Sequence, residues 1–267
     1  CFSRLIKHYS KEQNVGLLLP TSNAGSIANM AAVIRGKTVV NLNFTASREA
    51  LAASVTKADI KTIYTSRKFI EKLAKKGVDL NDVFSDSHMI YMEDLKLEIS
   101  KATSLYTFIT ALILPAGILK ILYCKKVSID SPAAILFSSG SEGTPKGVML
   151  SHRNIMANLK QISDMLNTQD TDVVMASLPL FHAFGLTVTT FMPLVEGIPM
   201  ICHPDPTDAV NIAKAIAKYR ATIFCGTSTF LRLYTRNRRI HPLMLESLRI
   251  VVAGAEKLSP DVRDAFK

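Results

Sequence analysis

Ile135-Leu136-Phe137-Ser138-Ser139-Gly140-Ser141-Glu142-Gly143-Thr144-Pro145-Lys146-Gly147-Val148 is an apolar run of strand composition that gives way to small hydroxyl residues and glycines and closes on a single lysine. Glycines let backbone N–H groups approach a ligand closely. Ser139, Ser141 and Thr144 add short donors, and Lys146 supplies a point charge for outer phosphates. Such a loop holds a polyphosphate anion. It is not the common nucleotide loop G-x-x-x-x-G-K-[ST], because Pro145 precedes the lysine and Gly147 follows it, which removes the metal-binding hydroxyl. Pro145 also keeps the residues before it from opening a helix there. A plain Ser/Gly-rich surface turn is the competing reading. A loop of this length between two hydrophobic runs, closed by one lysine, argues against it.

Outward from this loop, short β-branched runs recur at Val15 to Leu19, Thr38 to Leu42, Lys61 to Tyr64, Ala133 to Phe137, Asp172 to Ser177, Ile198 to Ile201, Ala221 to Cys225 and Leu248 to Ala253. They read as buried strands. Helical patterns lie between them at Ala24 to Arg35, Ser47 to Thr56, His152 to Leu166, Asp208 to Tyr219 and Thr229 to Arg236, with helix starts at Ser47, Ser151, Thr207 and Ser259. Strand followed by helix, repeated, predicts an α/β fold of largely parallel sheets flanked by helices. The natural boundary falls around Cys124 to Asp130, giving a first subdomain over 1–124 and a second, with the phosphate loop, over 125–267. Thr103 to Tyr123 is apolar over a length that could span a bilayer and is flanked by Lys101, Lys125 and Lys126. Pro115, Gly117 and Lys120 interrupt it, and a span would put the strands on either side of it on opposite faces of the membrane. A buried or surface-lying apolar helix is therefore expected, one able to touch a membrane surface.

The composition agrees with a packed globular chain: 48% of the 267 residues are hydrophobic and 20% charged, enough to bury a core. Lys and Arg exceed Asp and Glu by 32 to 22, a net charge of +10, which favours anionic partners such as nucleotides, acidic carrier proteins or anionic lipid. The basic residues are scattered, with one denser patch at Arg232, Arg236, Arg238 and Arg239, and no nucleic-acid-binding signature accompanies them, so nucleic acid is not expected as a partner. No helix-turn-helix pattern points to a transcriptional regulator. The four cysteines stand far apart without a CxxC pair, which predicts no disulfide framework and no zinc site, and a reducing, cytoplasmic-side compartment. The chain opens on Cys1 and closes on a half-finished helical pattern, so both ends read as cuts.

SSGSEGTPKGV (Ser138 to Val148) resembles the signature of the adenylate-forming superfamily, which includes acyl-CoA synthetases, acyl-acyl carrier protein synthetases and luciferases. VGLLLPTSNAGSIANMAAVIRGKTVVNLN (Val15 to Asn43) is similar to the family's early strand-helix-strand region, LPLFHAFGLT (Leu178 to Thr187) to its His-x-Phe-Gly segment, and VVAGAEKLS (Val251 to Ser259) to its Gly-Ala-Glu strand and turn. Within the family, FSSGSEGTPKGV, LPLFHAFGLTV, FCGTSTFL and VVAGAEKL look like the synthetase half of the bifunctional 2-acylglycerophosphoethanolamine acyltransferase/acyl-acyl carrier protein synthetases. Long-chain acyl-CoA synthetases are the alternative branch. A non-catalytic, membrane-docked ATP-binding module is a third reading.

The resemblance implies a partial N-terminal domain of such an enzyme. Its reaction has a fatty carboxylate attack the α-phosphorus of ATP with Mg²⁺ present, releasing pyrophosphate, after which the thiol of acyl carrier protein, or of coenzyme A, takes the acyl group. It assigns ATP to Ser138, Ser139, Gly140, Ser141, Glu142, Gly143, Thr144 and Lys146, with Gly254, Ala255 and Glu256 beside the adenine. In catalysis Thr144 would donate a hydrogen bond to the phosphates, Lys146 would neutralise their charge and His182 would lie near the carboxylate. Phe184, Gly185, Gly226, Thr227 and Ser228 would border the acyl pocket. No residue of the chain is expected to hold a metal by itself. A histidine such as His182 more commonly packs at a turn, and Gly254 to Glu256 also read as a plain strand-to-helix turn. His88 is followed at the fifth position by Glu93 rather than Asp, so the His-x-x-x-x-Asp acyltransferase half is not expected here. The family's Tyr-Gly-x-Thr-Glu and Thr-Gly-Asp segments and its lysine-bearing C-terminal domain are not found in the chain, which is therefore expected not to turn over alone. By the same resemblance, the parent would work at the cytoplasmic face of the inner membrane in phospholipid reacylation.

Overall fold

The computed structural model describes residues 1–78, 80, 82–138 and 144–266. In chain order the elements are α1 (Phe2–Tyr9), β1 (Asn14–Leu18), α2 (Asn23–Ile34), β2 (Thr38–Asn41), α3 (Arg48–Lys57), β3 (Thr62–Thr65), α4 (Arg67–Lys75), β4 (His88–Tyr91), α5 (Met92–Glu98), α6 (Lys101–Ile113), α7 (Ala116–Tyr123), β5 (Pro132–Ser138), β6 (Lys146–Ser151) and α8 (His152–Leu166). There follow β7 (Val174–Ala176), a π-helix (Phe184–Phe191), α9 (Met192–Glu196), β8 (Met200–Cys202), α10 (Ala209–Tyr219), β9 (Ile223–Gly226), α11 (Ser228–Thr235), a 3-10 turn (Pro242–Leu245), β10 (Ile250–Ala253) and α12 (Pro260–Ala265). The expected alternation of strands and helices is present, and the fold is α/β with two parallel-rich sheets.

The first sheet has the strand order β4-β3-β1-β2-β5-β6. Its pairs are parallel from β4 to β5, with Gly16 opposite Ile63 and Val40 opposite Ile135, and only β6 runs antiparallel, folded back from β5. β1, β2 and β3 are buried along almost their whole length, as strands covered on both faces must be, which is why they read as continuous β-branched runs. Leu18, Val40, Ile63 and Ile135 join Leu51, Val55, Phe69 and Leu73 of α3 and α4 in one core. The second sheet, β10-β9-β7-β8, is wholly parallel. Its core packs Met175 and Phe224 against Ile212, Ala213 and Ile216 of α10 and Leu231 and Tyr234 of α11.

The chain divides into two compact units, one of residues 1–19 and 24–155 and the other of residues 20–23 and 156–267. The boundary expected at Cys124 to Asp130 therefore moves. β5 docks on β2 by parallel pairing and carries β6 with it, so the strands around the phosphate loop belong to the first sheet, and the change of unit falls inside α8. Hydrogen bonding across a sheet outweighs proximity in sequence.

Thr103 to Tyr123 is also not one helix. α6 stops at Ile113 because Leu114, next to Pro115, takes an extended conformation (φ −79, ψ 137), and α7 begins after the proline. No described helix is long and apolar enough to cross a membrane. Ser47 caps α3 by accepting from Ala50 N–H at 3.2 Å, and Ser151 accepts from Asn154 N–H at 3.1 Å at the start of α8. The start expected at Thr207 lies one residue on, where Asp208 accepts from Asn211 N–H at 3.3 Å.

Candidate active site

Within the first unit β5 and β6, the strands on either side of the phosphate loop, pair antiparallel. Ser138 ends β5 directly opposite Lys146, which begins β6, so both ends of the loop are set by a sheet pair. The next pair, Phe137 with Gly147, explains the glycine after the lysine: a Cβ there would lie 3.1 Å from the Phe137 ring and 3.2 Å from Ile135 Cγ2. Pro145 is buried and its carbonyl accepts from Lys57 Nζ of α3 at 3.2 Å, a tether on the loop's exit. Thr144 and Lys146 are exposed. Ser139, Gly140, Ser141, Glu142 and Gly143 lie outside the described residues.

Within the second unit three turns distant in sequence meet at the carboxyl edge of the sheet, the edge at which α/β folds bind ligands. They follow β7, β9 and β10. Gly254 N–H donates to the carbonyl of Gly226 at 3.1 Å, joining the turns after β10 and β9. A Cβ on Gly254 would meet Phe184 Cε1 at 2.8 Å, so the Phe184 ring lies directly on that glycine. Ala255 takes φ +66, a left-handed conformation that turns the chain beside it. Phe184, Gly226, Gly254 and Ala255 thus form a rim of one aromatic ring and bare backbone.

Other groups at this edge are occupied structurally. The Glu256 carboxylate accepts from Thr229 N–H and from Thr229 Oγ1, and Thr227 Oγ1 accepts from Phe230 N–H at 3.3 Å, so both cap α11. Those bonds, the Thr229 amide first, hold the Glu256 carboxyl below the usual range. Ser228 is buried, with its Oγ 3.0 Å from Ser259 Oγ and accepting from Ser259 N–H at 3.1 Å. The edge therefore presents the backbone of Thr227 and Ser228 more than their hydroxyls.

His182 stands on the turn after β7 with its ring 4.7 Å from that of Phe181, and partial burial lowers its pKa below the ordinary 6.5, favouring the neutral imidazole. The turn then enters the π-helix Phe184–Phe191, a form found mostly as single turns at functional sites. Gly185 is required at its start. A Cβ would sit 2.1 Å from the carbonyl oxygen of Pro179 and 2.9 Å from that of Leu178. Buried Thr189 and Thr190 donate to the Gly185 carbonyl at 2.9 and 3.0 Å, and Thr187 to that of Ala183 at 2.7 Å.

Two positioning residues escaped the sequence reading. Thr21, buried in the loop after β1 and part of the second unit, donates to the carbonyl of Leu178 at 2.6 Å and pins the turn that carries His182. Its place at a strand end was a usable signal. Lys57 had none, since only the fold brings α3 beneath Pro145.

The sequence matches the AMP-binding enzyme family over residues 3–267, and the chain belongs to that family. It is 27% identical to a 4-coumarate–CoA ligase from Pinus taeda over 96% of this chain and 45% of that protein. It is 30% identical to a long-chain-fatty-acid–CoA ligase from Escherichia coli O6:H1 over 49% of this chain and 24% of that protein. Among solved structures, ATP-bound MatB from Rhodopseudomonas palustris matches 99% of this chain and 49% of its own with a TM-score of 0.74 at 20% identity. The fatty acid AMP ligase of Legionella pneumophila matches 99% and 44% with a TM-score of 0.75 at 21% identity. The chain spans less than half the length of these relatives, and its two-sheet fold is that of their N-terminal part.

Proposed function

We propose that this chain is the ATP- and acyl-binding part of an enzyme that activates a fatty acid as its acyl adenylate and passes the acyl group to the thiol of acyl carrier protein. The observation that carries the reading is the meeting of the Phe181–Gly185, Gly226–Ser228 and Gly254–Glu256 turns on one sheet edge in a chain of the AMP-binding enzyme family. Small residues at Gly254 and Ala255 would let a flat adenine approach the backbone, while the Phe184 ring occupies the side on which a Gly254 Cβ would stand. Lys146, fixed opposite Ser138, suits a triphosphate. Mg²⁺ would arrive with the phosphates. Among the described residues no group of three His, Cys, Asp or Glu side chains is placed to hold a metal ion.

In this scheme the fatty carboxylate oxygen bonds to the α-phosphorus as the bond to the pyrophosphate oxygen breaks. A thiolate then attacks the acyl carbonyl and AMP leaves with the electron pair. The chain's contribution is charge neutralisation by Lys146, a hydrogen bond donated by Thr144 and in-line positioning by the turn holding His182, with no side chain acting as nucleophile. A neutral His182 can donate a hydrogen bond to a carboxylate without a formal ion pair.

The net charge of +10 favours an acidic carrier protein as acceptor. Coenzyme A, the acceptor named for the ligases from pine and Escherichia coli, is the second reading. The test supplies the protein that contains this chain with ATP, Mg²⁺ and labelled palmitate, and offers acyl carrier protein or coenzyme A. Label moving to the carrier protein alone supports the proposal. Label moving to coenzyme A gives the acyl-CoA synthetase reading, and no adenylate with either leaves only nucleotide binding.

A further inference from the structure

We infer that the α6–α7 hairpin is a docking element that lies in the surface of an anionic lipid bilayer. Neither helix has a single buried residue. Leu105, Phe108, Leu112, Ile113, Ile121 and Leu122 are 51–82% exposed, with Ile121 at 82% and Leu112 at 75%. The core does not explain these helices, and isolated helices this short are marginal in water. Their apolar face calls for a partner that takes it out of water.

Three features choose lipid as that partner. From Ile99 to Ile129 the chain holds no acidic residue, while Lys101, Lys120, Lys125 and Lys126 are all exposed, a charge pattern complementary to anionic headgroups. The break at Leu114–Pro115 leaves two helices too short to span, so the hairpin lies in the interface. The opposite, threonine-bearing side is fixed to the rest of the first unit. Thr107 Oγ1 is 3.3 Å from Cys1 Sγ, Arg35 donates to the Tyr123 carbonyl at 3.0 Å, and Arg4 lies over the Tyr123 ring. Thr110 and Tyr123 hydroxyls, 3.3 Å apart, tie the two helices together. The protein side is thus anchored and the apolar side is left outward.

The chain has no tryptophan, so Phe108→Trp introduces a single reporter at a 65% exposed site. Adding mixed phosphatidylglycerol/phosphatidylcholine vesicles to this variant should blue-shift its emission and allow quenching by brominated acyl chains, whereas phosphatidylcholine alone should do so weakly. Leu112→Glu with Ile121→Glu should weaken vesicle co-sedimentation at least tenfold, and each lysine replaced by Gln about fivefold. Unchanged circular dichroism and melting would verify that these exposed substitutions leave the fold intact. No blue shift with anionic vesicles overturns the inference. So does light scattering that shows a dimer converted to monomer by the Glu pair, which would make a second copy the cover. The test needs no substrate, so its result is independent of the proposed reaction.

Discussion

Replacing Gly185 by alanine puts a methyl group where the fold has none to spare. The added carbon would lie 2.1 Å from the Pro179 oxygen and 2.8 Å from its carbonyl carbon, backbone atoms that cannot rotate away as a side chain would. One side must retreat by roughly 1 Å, and overpacking of this severity costs about 3 kcal/mol or more. For a chain of this size that lowers Tm by roughly 6–12 °C. The turn that moves carries His182 and Phe184, and a displacement of about 1 Å at a reacting centre costs roughly a hundredfold in rate. Gly197→Ala is the control. Gly197, unlike Gly185, has nothing within 4 Å of an added Cβ, but its φ of +74 exacts the left-handed penalty of about 1 kcal/mol. Thermal melts of both variants separate crowding from backbone strain. Equal losses for the two, or a Gly185→Ala protein melting within about 1 °C of its parent, would refute the reasoning.

Other consequences are as direct. Asp172 is 1% exposed and binds Thr222 Oγ1 at 2.7 Å, Gln169 N–H at 2.8 Å and the Arg249 guanidinium. Asp172→Asn should cost about 2 kcal/mol in urea unfolding, because it removes the buried charge partner of Arg249 and leaves that guanidinium only the carbonyls of Leu166 and Asn167. Burial of Asp172 opposes its charge, but the bonds from Arg249, Thr222 and Gln169 prevail and hold its carboxyl below the ordinary 3.8. Its contribution is therefore complete above that value and lost as pH falls through the lower folded one; the Asn variant should lack this dependence in acid unfolding curves. The His182 imidazole should titrate below 6.5 by NMR, and a midpoint above 7 would contradict its partly desolvated setting. Lys57→Ala, which removes the tether on Pro145, should raise the KM for ATP roughly twofold to fivefold with little change in kcat.

Much of the architecture was legible because buried parallel strands announce themselves: Val15 to Leu19 and Thr38 to Leu42 are near-continuous apolar runs, and the structure has β1 and β2 there, each ending one residue earlier. α8 falls on His152–Leu166 as its pattern indicates. β4 was missed because His88–Tyr91 is too short to show a period. β6 was missed because an exposed edge strand starting at a lysine lacks alternation. The π-helix was hidden for another reason. Leu186-Thr187-Val188-Thr189-Thr190 is a β-branched run, unfavourable for a helix by propensity, and it is stabilised through threonine bonds to carbonyls four and five residues back.

The candidate site divides along the same line. Gly254, Phe184 and Gly226 could be chosen from short patterns, but their contact arises only when β7, β9 and β10 lie in one sheet. Glu256, Thr227 and Ser228 were chosen from the same patterns, yet their side chains cap or brace α11, a role their spacing did not reveal.

Palmitate-dependent exchange of labelled pyrophosphate into ATP, measured on the protein that contains this chain, tests the central claim most directly, since it reads adenylate formation without any thiol acceptor. The account predicts exchange that requires both palmitate and Mg²⁺ and falls by about a hundredfold or more in Lys146→Ala. Exchange that persists undiminished in that variant, or ATP binding with no exchange for any fatty acid, would contradict it.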